Sequence, residues 1–195
     1  LPLMDTFTTI QGEGFHSGKS AHFLRIGGCD IGCHWCDIKE SWNSDLYPLV
    51  KIGNIIETIN HSTDLIIISG GEPLIWDMMP LTDALKKMNK KVHLETSGAY
   101  PLSGYWDWIC LSPKKNKPPI PELFEKADEL KIIVHNKHDL TFAKQNAKYV
   151  ERDCILFLQP EWSVKKKVMP LIGKFILENP NWRLSLQTHK YLGIK

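Results

Sequence analysis

The chain has 195 residues, 43 % hydrophobic and 24 % charged. That is the balance of an ordinary globular protein, expected to form a single domain over residues 1–195. A net charge of +2 makes no electrostatic case for a nucleic-acid partner. No apolar run approaches the roughly 20 residues of a membrane span, and the first residues lack a charged-then-apolar secretory pattern. Short β-branched runs predict strands at Ala21 to Ile26, Leu65 to Ser69, Lys91 to Glu95, Trp108 to Leu111, Glu129 to Val134, Cys154 to Leu158 and Trp182 to Leu186. Leu65 to Ile68 is apolar throughout, as in a parallel strand covered on both faces. Between the strands lie helical stripes: Ile52, Ile55, Ile56 and Ile59, then Leu81, Leu85 and Met88, then Val168, Leu171, Ile172, Phe175 and Ile176, the last stopped by Asn179-Pro180. Ser97 to Pro121, rich in Pro and Gly, reads mostly as loop. This alternation predicts an α/β fold with a parallel sheet.

The distinctive polar motifs fall just past the carboxyl ends of these strands. A cysteine loop follows the first and Ser69-Gly70-Gly71-Glu72-Pro73 the second. Glu95-Thr96-Ser97-Gly98 follows the third, Ser112-Pro113-Lys114 the fourth, Gln159-Pro160 the sixth and Gln187-Thr188-His189-Lys190 the seventh. Ligands bind at that edge of barrels and open α/β sheets, so one site gathered from the whole chain is expected.

Cys29, Cys33 and Cys36 have C-x-x-x-C-x-x-C spacing. Three thiolates can hold three corners of a [4Fe–4S] cluster, which normally takes four cysteines, and one iron is left with an open coordination site. This is the arrangement needed to bind and cleave S-adenosylmethionine (SAM), and the spacing resembles that of radical SAM enzymes. A structural zinc site would need a fourth ligand, for which His34 is the candidate. A disulfide plus a spare thiol suits a secreted chain better. Cys110 and Cys154 sit in apolar runs and read as core residues. An oxygen-sensitive cluster with reduced thiols points to the cytoplasm.

Gly70-Gly71-Glu72 offers exposed backbone and a carboxylate that can pair with an ammonium group; the plain alternative is a turn closing a βα unit. Thr9-Ile10-Gln11-Gly12-Glu13-Gly14 is either a flexible loop or a turn that reads a flat heterocycle, with Glu13 accepting from an amino-pyrimidine edge. Alternation puts Phe23 and Arg25 on one face, where Arg25 would meet a substrate carboxylate or a structural glutamate.

Together these motifs, from about residue 5 to the end of the chain, resemble the 7-carboxy-7-deazaguanine synthases of the radical SAM superfamily. The resemblance implies a shortened, partial TIM-like (β/α) barrel and a homodimer. It also implies ring contraction of 6-carboxy-5,6,7,8-tetrahydropterin to 7-carboxy-7-deazaguanine with loss of ammonia, on the route to queuosine and other deazapurines. A reductase such as flavodoxin would supply the electron that cleaves SAM, and the resulting radical would take hydrogen from C6 of the pterin. By position, Cys29, Cys33 and Cys36 would hold the cluster. Trp35, Asp37, Glu72, Gly98, Ser112, Pro113, Lys114 and Gln159 would contact SAM. Ile10, Gln11, Gly12, Glu13, Arg25, Thr96 and His189 would contact the pterin, with Arg25 on its carboxylate. The family commonly has a Thr or Ser two residues after the last cysteine, as a ligand for Mg²⁺. Here that residue is Ile38, which offers no oxygen to a hard cation. Either substrate, water and oxygens such as Asp37 hold the ion, or the charge is handled without it. A glycyl-radical-enzyme activating protein shares the cysteine spacing and is the competing reading.

Overall fold

The strands line up in chain order as one eight-stranded sheet in a computed structural model that describes residues 1–195. They are β1 (Leu3–Ile10), β2 (Ser20–Ile26), β3 (Leu65–Gly70), β4 (Lys91–Thr96), β5 (Trp108–Leu111), β6 (Glu129–Val134), β7 (Ile155–Pro160) and β8 (Trp182–Leu184). β1 runs antiparallel to β2, and every later strand is parallel to the one before it. β1 and β8 are the two edges of the sheet and do not pair with each other, so this is an open, partial barrel. The helices are α1 (Ile52–Glu57), α2 (Met79–Lys87), α3 (Pro121–Glu125), α4 (His138–Asn146), α5 (Lys165–Glu178) and α6 (Thr188–Leu192). None is long and apolar enough to cross a membrane.

Side chains alternate across a strand, and here the two faces do different work. Ile66 and Ile68 of β3, Val92 and Leu94 of β4, Leu130 and Ile132 of β6 and Leu158 of β7 join Leu81 and Leu85 of α2 and Val168, Ile172 and Phe175 of α5 in the main core. Leu65 and Ile67 of β3 face the other way and pack with Ala21 and Phe23. That second face also carries Arg25, Glu95, Glu129, Lys131 and Gln159, and the candidate site is built on it.

β1 is the strand the sequence pattern does not announce. None of its residues is buried, because an edge strand with one solvated side has no continuous apolar face. The segment ending at Ile10 is therefore the first arm of an antiparallel hairpin, and Gln11 to Gly14 belong to its connection. Leu171 departs from the expected α5 stripe and is exposed. α4 has few apolar residues facing the core, which hides it from a periodicity reading.

Candidate active site

The cysteine loop leaves β2 and is pinned by backbone. Gly28 N–H donates to Ser41 O (2.7 Å), Cys29 N–H to Trp42 O (3.1 Å), and Cys36 N–H to Cys33 O (3.0 Å). Glu72 N–H donates to Gly28 O (2.8 Å), tying the Gly-Gly-Glu turn to the start of the loop. At Gly70 φ is +123°, and a Cβ there would meet the backbone of Ile26, so only glycine lets β3 end this close to β2. The half-buried Cys29, Cys33 and Cys36 all line one cavity of about 230 Å³. His34 lines a neighbouring cavity together with Cys33, its ring 5.4 Å from that of His135, and does not form a four-ligand set with the three thiols. No group of three or more His, Cys, Asp or Glu is gathered closely enough for a single ion. Burial raises the Cys29 thiol to about 11 and pushes Cys33 up as well; iron bound here would deprotonate its thiols outright.

The same cavity is walled by Trp35, Asp37, Glu72, Ser112, Lys114 and Gln159, six of the residues expected to contact SAM. Gly98 and Pro113 are not on it. Gly98 turns into the core, where a Cβ would strike Leu111, and Pro113 lines the adjoining cavity with His34. The Glu72 carboxylate is already engaged. Its Oε1 accepts from Leu74 N–H (3.1 Å) and Thr96 Oγ1 (2.6 Å), and its Oε2 from Ser97 N–H (2.7 Å) and Ser97 Oγ (2.5 Å). Four donors fill a carboxylate, so Glu72, besides lining the cavity, organises the loop after β4. Thr96, expected on the pterin, is the partner of this carboxylate and lines the thiol cavity. Burial pulls the Lys114 ammonium below its usual value, with Cys33 opposing. Its Nζ donates to Ser112 Oγ (2.6 Å) and sits 5.5 Å over the Trp35 ring.

A second cavity, about 450 Å³, holds Ile10, Gln11, Gly12, Glu13, Arg25 and His189. It adjoins the first, since Glu13, Asp37, Ile38, Ser69, Gly70, Glu95 and Gln187 line both. A Cβ on Gly12 would meet His189 Nδ1 at 2.1 Å, so glycine there admits the imidazole. Arg25 lies over the Phe7 ring, 4.9 Å away, and its buried Nε has no hydrogen-bond partner. Desolvation pulls its guanidinium below the ordinary value, against nearby Asp5, Glu40 and Glu13.

Sequence reasoning missed the residue at the centre of this partition. Lys131, on β6, is 4 % exposed and donates to Glu13 Oε2 (2.7 Å) and Glu95 Oε2 (2.8 Å). Gln187 Nε2 donates to Glu13 Oε1 (2.9 Å) and Gln11 Nε2 to Glu95 Oε1 (3.3 Å). Burial alone would raise Glu13, but Lys131, with Gln187 and Gln159, overrides it and holds the carboxyl at about 2. Lys131 itself is driven well above its usual value because its carboxylate partners and Cys110 outweigh burial. The signal was in Glu129-Leu130-Lys131, where alternation puts both charges on the face opposite the core.

The hairpin connection is clasped to the far end of the sheet. Thr188 N–H donates to Gly12 O (2.9 Å), Gly14 N–H to Ser185 Oγ (2.9 Å), and Phe15 N–H to Glu129 Oε2 (2.9 Å).

The family model for the radical SAM superfamily matches residues 24–136, which places the chain in that class of protein. A 7-carboxy-7-deazaguanine synthase of Flavobacterium psychrophilum is 58 % identical over all of this chain and 92 % of its own length. That of Escherichia coli K12 is 31 % identical, with 99 % and 98 % covered. The crystal structure of QueE from Escherichia coli superposes with a TM-score of 0.82 at 28 % identity, covering 95 % of this chain and 92 % of that one. The chain belongs to the 7-carboxy-7-deazaguanine synthase family, and these relatives give no support to the activating-protein alternative.

Proposed function

We propose that this protein is a radical SAM lyase that converts 6-carboxy-5,6,7,8-tetrahydropterin to 7-carboxy-7-deazaguanine with loss of ammonia. The observation that carries this reading is the second cavity. It pairs an ionised Glu13 with an Arg25 that lacks a partner at Nε, and it opens onto the cavity lined by three thiols. The residues fit the two groups the reading needs. Three half-buried thiols suit a [4Fe–4S] cluster with one open iron, and the walls formed by Trp35, Ser112, Lys114 and Gln159 suit SAM. When bound, these groups supply one-electron chemistry able to take a hydrogen atom from C6 of the pterin.

The protein's own part is recognition and exclusion of water. Ionised Glu13 is an acceptor only and reads N–H groups on the amino-pyrimidine edge, beside Gln11. Arg25 neutralises the pterin carboxylate through a charge-assisted bond. Burial, with Lys190 and Arg25 nearby, pushes His189 below its usual value against the pull of Glu13 and Asp37, so it meets the substrate as a neutral imidazole. A one-electron donor of the flavodoxin kind, a cytoplasmic setting for the reduced thiols, a homodimer and a single catalytic domain over residues 1–195 belong to the same reading. Tyr191 and Leu192, both exposed on α6, are apolar surface that a second copy could cover.

For Mg²⁺ the residues do not fit. Ile38 brings no oxygen, and Asp37 Oδ2 already accepts from Lys190 (2.6 Å) and Gln187 (3.0 Å). No step is assigned to the ion. The test is anaerobic reconstitution with reductant, SAM and the carboxy-tetrahydropterin. The deazaguanine chromophore should grow in; its absence with a fully loaded cluster would refute the assignment.

A further inference from the structure

We propose that Lys190, anchored on Asp37, is the second cation for the substrate carboxylate, so that this protein binds its carboxylated pterin without a divalent metal. The inference rests on the pterin reading above. Four observations support it.

First, Lys190 lines the pterin cavity together with Arg25, Asp37 and Ile38. Second, its Nζ donates to Asp37 Oδ2 at 2.6 Å and lies 5.0 Å over the Trp162 ring, with the side chain 21 % exposed. An ammonium has three donors, so with one committed to Asp37 it can still bind an anion, and Asp37 and Trp162 hold it in place while it does. Third, His189, the neighbour of Lys190 in sequence, lines the same cavity and packs against Gly12, so the two cations share a wall with one imidazole. Fourth, the feature that would let a dication take this place is missing. Ile38 cannot ligate, and a dication beside Asp37 would have to displace or sit against an ammonium already hydrogen-bonded there.

The other charged groups facing this corner are Glu13 and Glu95, both on Lys131, Glu40, and Lys195 on Asp5. Glu13 and Glu95 share the one cation Lys131, Lys195 is held by Asp5, and Glu40 makes no ion pair. Arg25 and Lys190 are therefore the cations of this corner that keep donors for a substrate anion.

The experiment measures binding as well as turnover, on cluster-loaded protein with SAM. Equilibrium dialysis is run with the carboxy-tetrahydropterin and with the tetrahydropterin lacking the 6-carboxyl, each in EDTA and in excess Mg²⁺. Wild type should bind the carboxylated pterin equally under both conditions. Lys190→Met should weaken that binding by about 10–100-fold, the loss of one charge-assisted hydrogen bond, while leaving the decarboxylated pterin unchanged. Lys190→Arg should recover most of the loss. Wild-type binding that collapses in EDTA and returns with Mg²⁺ would overturn the inference. Equal weakening of both pterins by Lys190→Met would also overturn it, by making Lys190 a scaffold for α6. A separate arm, wild-type turnover in excess Mg²⁺, keeps the pterin reading itself in view: no product there means that the reading of the substrate failed, whatever the metal dependence.

Discussion

Replacing Lys131 by Met removes the one buried cation that two half-buried carboxylates share. Met keeps the length of the side chain, so the perturbation is of charge rather than of volume. Glu13 and Glu95, each within 2.8 Å of the ammonium, are left facing each other on the inner face of the sheet. Breaking a buried ion pair from one side costs about 3–5 kcal/mol, which for a chain of this length lowers Tm by roughly 6–20 °C. The functional effect follows from the sign of the Glu13 shift. In the wild type this carboxyl is held at about 2, so its contribution to stability is complete above the ordinary carboxylate range and is lost only as pH falls toward 2. Without Lys131, burial and Glu95 both favour the protonated form, and Glu13 moves above its ordinary value. Protonation costs Glu13 its acceptor role toward the pterin N–H groups, a charge-assisted bond of about 1.5–3 kcal/mol. Wild-type KM should therefore be flat between pH 5.5 and 8, while that of Lys131→Met should fall about tenfold or more as pH rises across that window. Lys131→Arg, which can bridge both carboxylates, should restore the flat profile. A Lys131→Met enzyme that melts at the wild-type temperature and keeps a flat KM profile would refute this account.

Any one of Cys29→Ala, Cys33→Ala or Cys36→Ala should abolish SAM cleavage, whereas Cys110→Ala and Cys154→Ala, buried in the protein interior, should retain full iron content on elemental analysis. Arg25→Ala should weaken use of the carboxylated pterin by tens- to hundreds-fold, the loss of a bond worth about 2–4 kcal/mol in a partly dry site, with SAM affinity retained; unchanged kinetics would make Arg25 a structural residue. Ile38→Thr combined with Lys190→Met adds a hydroxyl ligand and removes the competing ammonium, so pterin binding should become Mg²⁺-dependent, as read by dialysis against chelator.

The parallel strands were legible because each carries an apolar face to the core, and β3 carries two. β1 was not, since a hydrophobic pattern exists only where burial makes one and this edge strand has no buried residue. The thiol loop, Gln11 to Glu13, Arg25 and His189 were legible from spacing and resemblance, and they do converge on two adjoining cavities. Gly98 and Pro113 fell outside because a motif records which residues lie together in sequence, not which way each one turns. Glu72 shows the same limit from the other side: its carboxylate, expected to meet a ligand, takes four hydrogen bonds from Leu74, Thr96 and Ser97 that no motif records. Lys131 was overlooked because a lysine in a strand reads as solvated surface until its partners, distant in sequence, are known, whereas Lys190 was placed at the ligand edge with its motif but given no role of its own.

The clasp between the hairpin connection and the far edge of the sheet bears on the order in which the site is assembled. Gly14 and Ser185 are 171 residues apart in sequence, and Thr188 reaches back 176 residues to Gly12. Contacts of such separation carry the largest loop-closure entropy and form late in folding. The cysteine loop and the Gly-Gly-Glu turn, by contrast, join neighbouring strands β2 and β3. The anchoring of the cysteine loop can thus take shape from the first half of the chain, whereas the SAM wall also needs Ser112, Lys114 and Gln159 and the pterin-facing wall needs residues 187 to 189. The clasp is thus a tie between the chain's two ends, and a ligand held in the cavity that Gly12 and His189 line would strengthen it.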